Sequence, residues 1–332
     1  MLKSPFHLLA SASLLTLVLL SFNKQQAIGT LERLDPSVDA LVGKNLKIEE
    51  ISKGYAWTEG PVWIEEKQML LFSDIPNNRV MKWTKEKGAE LYLSPAGYTG
   101  TATRGGETGS NGLLLNHKNQ LVLCQHGDRR IALMDASLDN PQAKFITLAH
   151  TYQGKKLNSP NDAVFHKNGD LYFTDPPYGL EKNMNDPLKE TPYQGVYRLS
   201  ADGKLTLLLD SISRPNGIAL TPDHKSLIIA NSHGAKPYWY IYDIKQDGSL
   251  SNGRIFQISR SGPTGGGGDG FKIDSKGNVF ATGPGGIWIM NKTGKVIGKI
   301  KIDRTVSNCA FADNEKTLYV SADKTMLKIS LR

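Results

Sequence analysis

Glu59-Gly60-Pro61-Val62-Trp63-Ile64, a polar turn at Glu65-Glu66-Lys67-Gln68, and Met69-Leu70-Leu71-Phe72-Ser73-Asp74 form a phrase that returns six times along the chain. An oxygen-bearing residue, usually followed by Gly, opens a short apolar run; a polar turn and a second apolar run follow. The openings are Glu59-Gly60, Asn111-Gly112, Asn161-Asp162, Asn216-Gly217, Asp269-Gly270 and Asn308-Cys309. Apolar runs of this length bounded by turn residues read as strands. In the first unit residues 79–83 and 89–93 supply two more, and four antiparallel strands make a propeller blade. Successive openings lie 52, 50, 55, 53 and 39 residues apart, so one four-stranded unit occupies most of each interval. The chain is expected to be all-β, a six-bladed β-propeller whose openings take equivalent places around one axis.

The last unit has room for three strands, at residues 310–312, 317–320 and 326–331. A blade short of its outer strand leaves an unpaired edge. Residues 44–52, with Leu46, Ile48 and Ile51 in near-alternation, are expected to close the sixth blade. The first-to-second turns of the units are short and polar, whereas long connections fall at 96–109, 179–194 and 261–268, on the rim that carries the openings. Long connections gathered on one face read as a substrate wall or lid. The glycine run 265–268 lacks the GK[ST] and the helix of a phosphate loop.

Composition bounds the class. With 39% hydrophobic residues the chain can bury a large core, and its 33 Gly and 16 Pro favour turns over long helices. The net charge of +8 comes from Lys and Arg scattered through turns, without a basic run interleaved with aromatics, so nucleic-acid binding is not expected. Lys3 and the apolar run of residues 8–22 read as an export signal, residues 1–27, cleaved near Ala27, with an uncleaved N-terminal anchor as the alternative. The run is short for a membrane span of about 20 residues. The remainder, 28–332, reads as one propeller domain, periplasmic or secreted. Cys124 and Cys309 fall in different units and are expected to be separate buried thiols.

A ring of Glu, Asp and Asn is a ring of hard oxygen ligands. Calcium takes about six to eight such oxygens and tolerates irregular geometry. Glu59 and Asp269 bring two negative charges, and Asn161 and Asn216 bring neutral carbonyl oxygens. Turn formation alone explains one Asn-Gly or Asp-Gly pair. Six at equivalent positions, one of them a Glu, point to a divalent ion, calcium first, with magnesium, manganese or zinc as alternatives. No Cys or His pattern at zinc spacing occurs. The ends of the second strands bring Asp74, His126, Asp175 and His233 to the same rim. Asn111, His126, Asn161, Asp175 and His233 are therefore the candidate substrate contacts, and Asp175 is equally suited to capping the turn begun by Pro176-Pro177.

The phrases Glu59 to Trp63, Phe72 to Ile75, Ser159-Pro160-Asn161-Asp162, Arg214-Pro215-Asn216-Gly217 and Asp269-Gly270 occur in order at matching blade positions. They resemble the motifs of the gluconolactonase/regucalcin-like family, from about residue 45 to the C-terminus, and its bacterial gluconolactonase-like branch in particular. The resemblance implies a six-bladed propeller with one divalent ion at the mouth of the central channel. By motif, Glu59, Asn216 and Asp269 match the direct metal ligands, and Asn161 the residue that adjoins metal and substrate. The implied reaction is hydrolysis of a lactone such as glucono-1,5-lactone, with Asp269 as general base and His126 as the alternative base. Animal members carry an Arg two residues before the third-motif Asn, where this chain has Ser159. A phosphotriesterase or arylesterase-like hydrolase and a non-catalytic exported metal-binding propeller are the other readings. No G-x-S-x-G motif of a serine esterase occurs.

Overall fold

Met69–Asp74 is buried along its whole length, as are Leu121–Gln125, Leu171–Asp175 and Thr317–Ala322. A strand covered on both faces carries a continuous apolar run, which is why these segments show no alternation. Outer strands such as Leu250–Ile258 are largely exposed. The structure, a computed structural model, describes Met1, residues 28–259 and residues 267–332. The export-signal reading of 1–27 and most of the 261–268 connection therefore fall outside the described residues.

Among the described residues the strands form six blade sheets in sequence order and one two-stranded ribbon, Thr151–Tyr152 with Lys155–Lys156. The first blade is Thr58–Ile64, Met69–Asp74, Arg79–Thr84 and Gly88–Leu93; the second is Ser110–Leu115, Leu121–Gln125, Arg130–Met134 and Phe145–Ala149. The third is Ala163–Phe165, Leu171–Asp175, Gly195–Leu199 and Leu205–Leu209, and the fourth is Pro215–Leu220, Ser226–Asn231, Tyr238–Ile244 and Leu250–Ile258. The fifth begins with Phe271–Ile273, Val279–Gly283, Gly286–Met290 and Val296–Ile302, and the sixth with Val306–Ala312, Thr317–Ala322 and Thr325–Ser330. The first strand of each blade touches the first strand of the next, and the last returns to the first, so these strands encircle an axis.

Each blade interface holds an apolar cluster. Leu71 and Val80 of the first blade meet Leu121 and Leu123 of the second; Val122 and Ile131 meet Phe173 and Tyr197 of the third. Tyr172 and Val196 meet Leu227 and Ile229 of the fourth, and Ile228 and Trp239 meet Ala281 and Trp288 of the fifth. Phe280 and Ile289 meet Leu318 and Val320 of the sixth, and Tyr319 and Met326 close the ring on Leu70 and Phe72. Burying each large side chain of this kind contributes about 1.5–3 kcal/mol, so the core is a set of six interfaces rather than one centre.

The N-terminal segment closes the ring as expected: Ile48–Lys53 pairs antiparallel with Thr325–Ser330, Ile48 opposite Ile329. It also does something the sequence did not announce. Gly29–Arg33 adds a fifth strand to the fifth blade, Leu31 opposite Ile300. Between the two strands a short 3-10 turn, Pro36–Ala40, starts on Asp35, whose carboxylate accepts from the Ser37 amide at 3.0 Å. This turn buries Val38 between the fifth and sixth blades. Residues 29–53 are thus a clasp across two blades. Its first strand has no strand-like pattern in the sequence because Leu31 is its only apolar side chain.

Candidate active site

The last residue of the second strand turns back onto the segment that leads into the first strand of the same blade. Asp74 accepts from the amides of Ala56 at 3.0 Å and Trp57 at 3.4 Å. Asp175 accepts from Asn158 and Ser159, each at 2.8 Å, and Asn231 accepts from Arg214 at 3.0 Å. The openings Glu59, Asn161 and Asn216 follow two residues after the last amide held in each case. These side chains are fully buried and their bonds satisfy them. Burial pushes the Asp175 carboxyl up to about 7, while the two amides and the charges of Arg129 and Lys189 pull it down. Asp74 and Asp175 thus aim the openings, and both oxygens of Asp175 are committed to backbone.

The openings are bound to one another around the axis. The Gly112 amide donates to Asn161 O at 2.8 Å, and the Gly270 amide to Ser307 O at 2.7 Å. Hydroxyls from second strands reach the next opening: Ser73 Oγ donates to Asn111 O at 2.9 Å and Thr174 Oγ1 to Asn216 O at 2.7 Å. The glycine that follows an opening is required by this crowding. Gly60 has φ +51°, and a Cβ there would lie 2.0 Å from Asn111 O; at Gly270 it would lie 2.1 Å from Asn308 Cγ.

Glu59, Asn111, Asn161, Asn216 and Asn308 are each at most 5% exposed, and Asp269 is half-buried. Burial, then the charges of Asp269, Asp162 and Glu107, raise the proton affinity of Glu59 well above the ordinary carboxylate range, against the Gly60 amide that donates to its Oε2 at 2.9 Å. Asp269 is raised too, by desolvation first and then by Glu107 and Asp162, while bonds from the Gly270 amide and Asn216 oppose the shift. Among the described residues neither Glu59 nor Asp269 forms a salt bridge. Crowded carboxylates without a counter-charge, flanked by amide oxygens, suit a hard divalent cation. No group of three or more His, Cys, Asp or Glu in metal-holding geometry is found among the described residues. The donor set is half amide.

His126 is fully buried, and among the described residues neither ring nitrogen has an aligned hydrogen-bond partner. Its Nδ1 nevertheless lies 3.1 Å from Glu107 Oε2. His233 is half-buried, with Nδ1 3.1 Å from Ser213 Oγ. Glu107 was not legible as a site residue, since it sits in a Gly- and Thr-rich connection outside the repeat. That connection is fastened by Arg104, which donates to Gly127 O and, at 3.0 Å, to Gly179 O. Tyr178, in the turn after Pro176-Pro177, carries no repeat signal either. Its hydroxyl bonds Ser232, Arg214 lies over its ring at 5.7 Å, and burial, with the charge of Asp269, raises its phenol pKa. Ser159 is fully buried; its hydroxyl donates to Pro176 O at 2.5 Å and accepts from the Gly179 amide at 2.9 Å, so it shapes the Pro176-Pro177 turn.

A cavity of about 500 Å³ opens beside Asp269, lined by Ser232, Gly283, Pro284, Arg304 and Val306 among others. That is the size range of small-molecule sites. A second, of about 530 Å³, lies by Tyr98, Arg130 and His150. Arg130 there is already bonded to Gln125, Thr147 and Asp128. Cys124 and Cys309 are free and buried, as expected.

Residues 57–324 match the SMP-30/Gluconolactonase/LRE-like region. The chain is 36% identical over 310 residues to a gluconolactonase of Zymomonas mobilis, covering 91% of this chain and 86% of that one. A solved gluconolactonase from Xanthomonas campestris superposes with a TM-score of 0.78 at 27% identity, over 91% of this chain and 94% of that one. A calcium-binding protein, regucalcin, from Agrobacterium tumefaciens shares the fold with a TM-score of 0.66 at 17% identity, over 85% and 93% of the two chains. With its six blades, its ordered motifs and these matches, the chain belongs to the SMP-30/gluconolactonase/LRE-like family.

Proposed function

We propose that the protein hydrolyses a lactone, a sugar lactone such as glucono-1,5-lactone, at the mouth of the propeller channel, with one divalent ion held by Glu59, Asn161, Asn216 and Asp269. Lactone hydrolysis rests on family membership and on the gluconolactonase of 36% identity. The ion rests on one observation: Glu59 and Asp269 are crowded together without a salt-bridge partner among the described residues. Calcium is the first choice, because the donors are all oxygen and the Agrobacterium relative is a calcium-binding protein. When bound, such an ion supplies Lewis acidity, stabilising negative charge on the carbonyl oxygen.

The chain's own groups supply the rest. Asn111 and Asn161 lie beside the carboxylates and, with His233 and Tyr178, are the substrate contacts. Asp175 acts from behind, on the Asn158–Asn161 segment, and His126 packs beside Glu107. Asp269, the partly exposed carboxylate, orients the attacking water and takes its proton as the hydroxide oxygen bonds to the carbonyl carbon. The ring C–O bond then breaks, and the proton passes to the departing alkoxide oxygen, giving the hydroxy acid. Coordination to a cation lowers a carboxylate's proton affinity, so Asp269→Asn is the sharpest test of this role.

The deciding experiment follows proton release from glucono-1,5-lactone and a lactone panel after chelation and after add-back of single divalent metals. Activity lost on chelation, restored by calcium and absent in Glu59→Gln is expected. Turnover unaffected by chelation would remove the ion from the reaction.

A further inference from the structure

Below the ring of openings, the inner strand Phe271–Ile273 carries a lysine where its neighbours in the strand are apolar. The Lys272 side chain is part-buried, 32% exposed. Its Nζ lies 3.8 Å from Asp162 Oδ2 of the third blade, 3.3 Å from Asn308 Oδ1 of the sixth, and 3.2 Å from its neighbour's carbonyl, Phe271 O. Groups from three blades meet at one ammonium, so it stands on the axis.

Two buried oxygens of the second and third openings are short of donors. Asp162 is 4% exposed, and its Oδ2 has no hydrogen-bond partner among the described residues. The Asn111 Oδ1 atom, on the neighbouring blade's opening, is likewise buried and unpartnered. A Cβ at Gly112 would lie 3.1 Å from Asp162 Oδ1, so the two openings pack directly. A carboxylate and amide and backbone carbonyls form the kind of hard-oxygen set that takes calcium or a related ion. Here a side-chain ammonium is seated among them, a compact point charge with three donors.

We infer that Lys272 is a tethered cation occupying a second cation position on the axis, so that the protein accepts one divalent ion rather than two. The number of ions in the native protein rests on the ion site proposed above; the role of Lys272 is read from the change in that number. Without the ammonium, Asp162 is an uncompensated buried charge, and a hard cation is the group its surroundings can best accommodate. The consequence is that the lactone meets a single Lewis-acidic ion, and a two-ion mechanism is closed to this chain.

The test is a calcium titration by isothermal calorimetry, with bound calcium counted after equilibrium dialysis, on the full chain and on Lys272→Met. The variant is expected to bind one calcium more than the native protein, and Lys272→Arg the same number as native. Should Lys272→Met fail to fold by circular dichroism, Lys272→Gln, whose amide can still bond Asn308, serves in its place with the same expectation. A native count of one and a variant count of one overturn the role of Lys272 and leave the upper ion standing. Native zero with variant one upholds Lys272 and removes the upper ion, and zero in both overturns the two together.

Discussion

Ser307 Oγ of the sixth blade donates to Thr58 O of the first at 2.8 Å, a bond between residues 249 apart in sequence that joins the two ends of the ring. Thr58 returns the link, its hydroxyl lying 3.0 Å from the carbonyls of both Asp323 and Thr325. The first strand of the first blade, which carries Glu59, is therefore held by the last blade as well as by its own sheet. Ser307→Ala leaves a buried carbonyl short of its donor, which costs about 1–3 kcal/mol. Urea unfolding is expected to show that loss; a change below ~0.5 kcal/mol would mean the ring closes without this bond.

Gly60→Ala is expected to be far worse than its size suggests. The residue has φ +51°, and a Cβ would come 2.0 Å from Asn111 O. Left-handed strain alone costs on the order of 1–3 kcal/mol, and the clash would push the first and second openings apart. Gly54→Ala, at φ +98° with open space around the Cβ, is the control that carries strain without the clash. Gly60→Ala should lose calcium binding and Gly54→Ala should keep it, by calorimetry on both.

Metal dependence and pH are linked through Glu59 and Asp269. Both carboxyls are raised, chiefly by burial and then by neighbouring carboxylates. The folded state therefore holds protons that the unfolded chain releases above roughly pH 4. Stability is intact below that pH and falls as pH rises through the raised folded values. Asp175, pushed up to about 7, adds the same slope with or without a cation. The gain in melting temperature on adding calcium should therefore be larger at pH 8 than at pH 5, and Glu59→Gln should flatten the difference. Equal gains at both pH values would dissociate the ion from this pair.

Glu107→Gln is expected to weaken calcium binding by about tenfold, ~1.4 kcal/mol. Its charge is one of those that raise the proton affinity of both Glu59 and Asp269, and removing it weakens their field for a cation as it does for a proton. His126 Nδ1 lies 3.1 Å from its Oε2, so the ring packs behind this carboxylate. His126→Gln should reproduce part of the loss. Unchanged affinity in Glu107→Gln would place that carboxylate outside the ion's reach.

Strands, blades and openings were legible along the chain because each depends on neighbours within a few residues. Continuous apolar runs such as Met69–Asp74, polar turns and the X-Gly openings encode a blade locally, and six recurrences encode the ring. Closure by Ile48–Lys53 was legible too, from the missing outer strand of the last unit. Glu107 against His126, Lys272 against Asp162, Ser307 against Thr58 and the strand Gly29–Arg33 on the fifth blade were decided only by folding. A charged residue in a loop or alone on a strand carries no periodic signal. Its partner is set by where distant blades bring their surfaces together around the axis, and that distance exists only once the ring is shut.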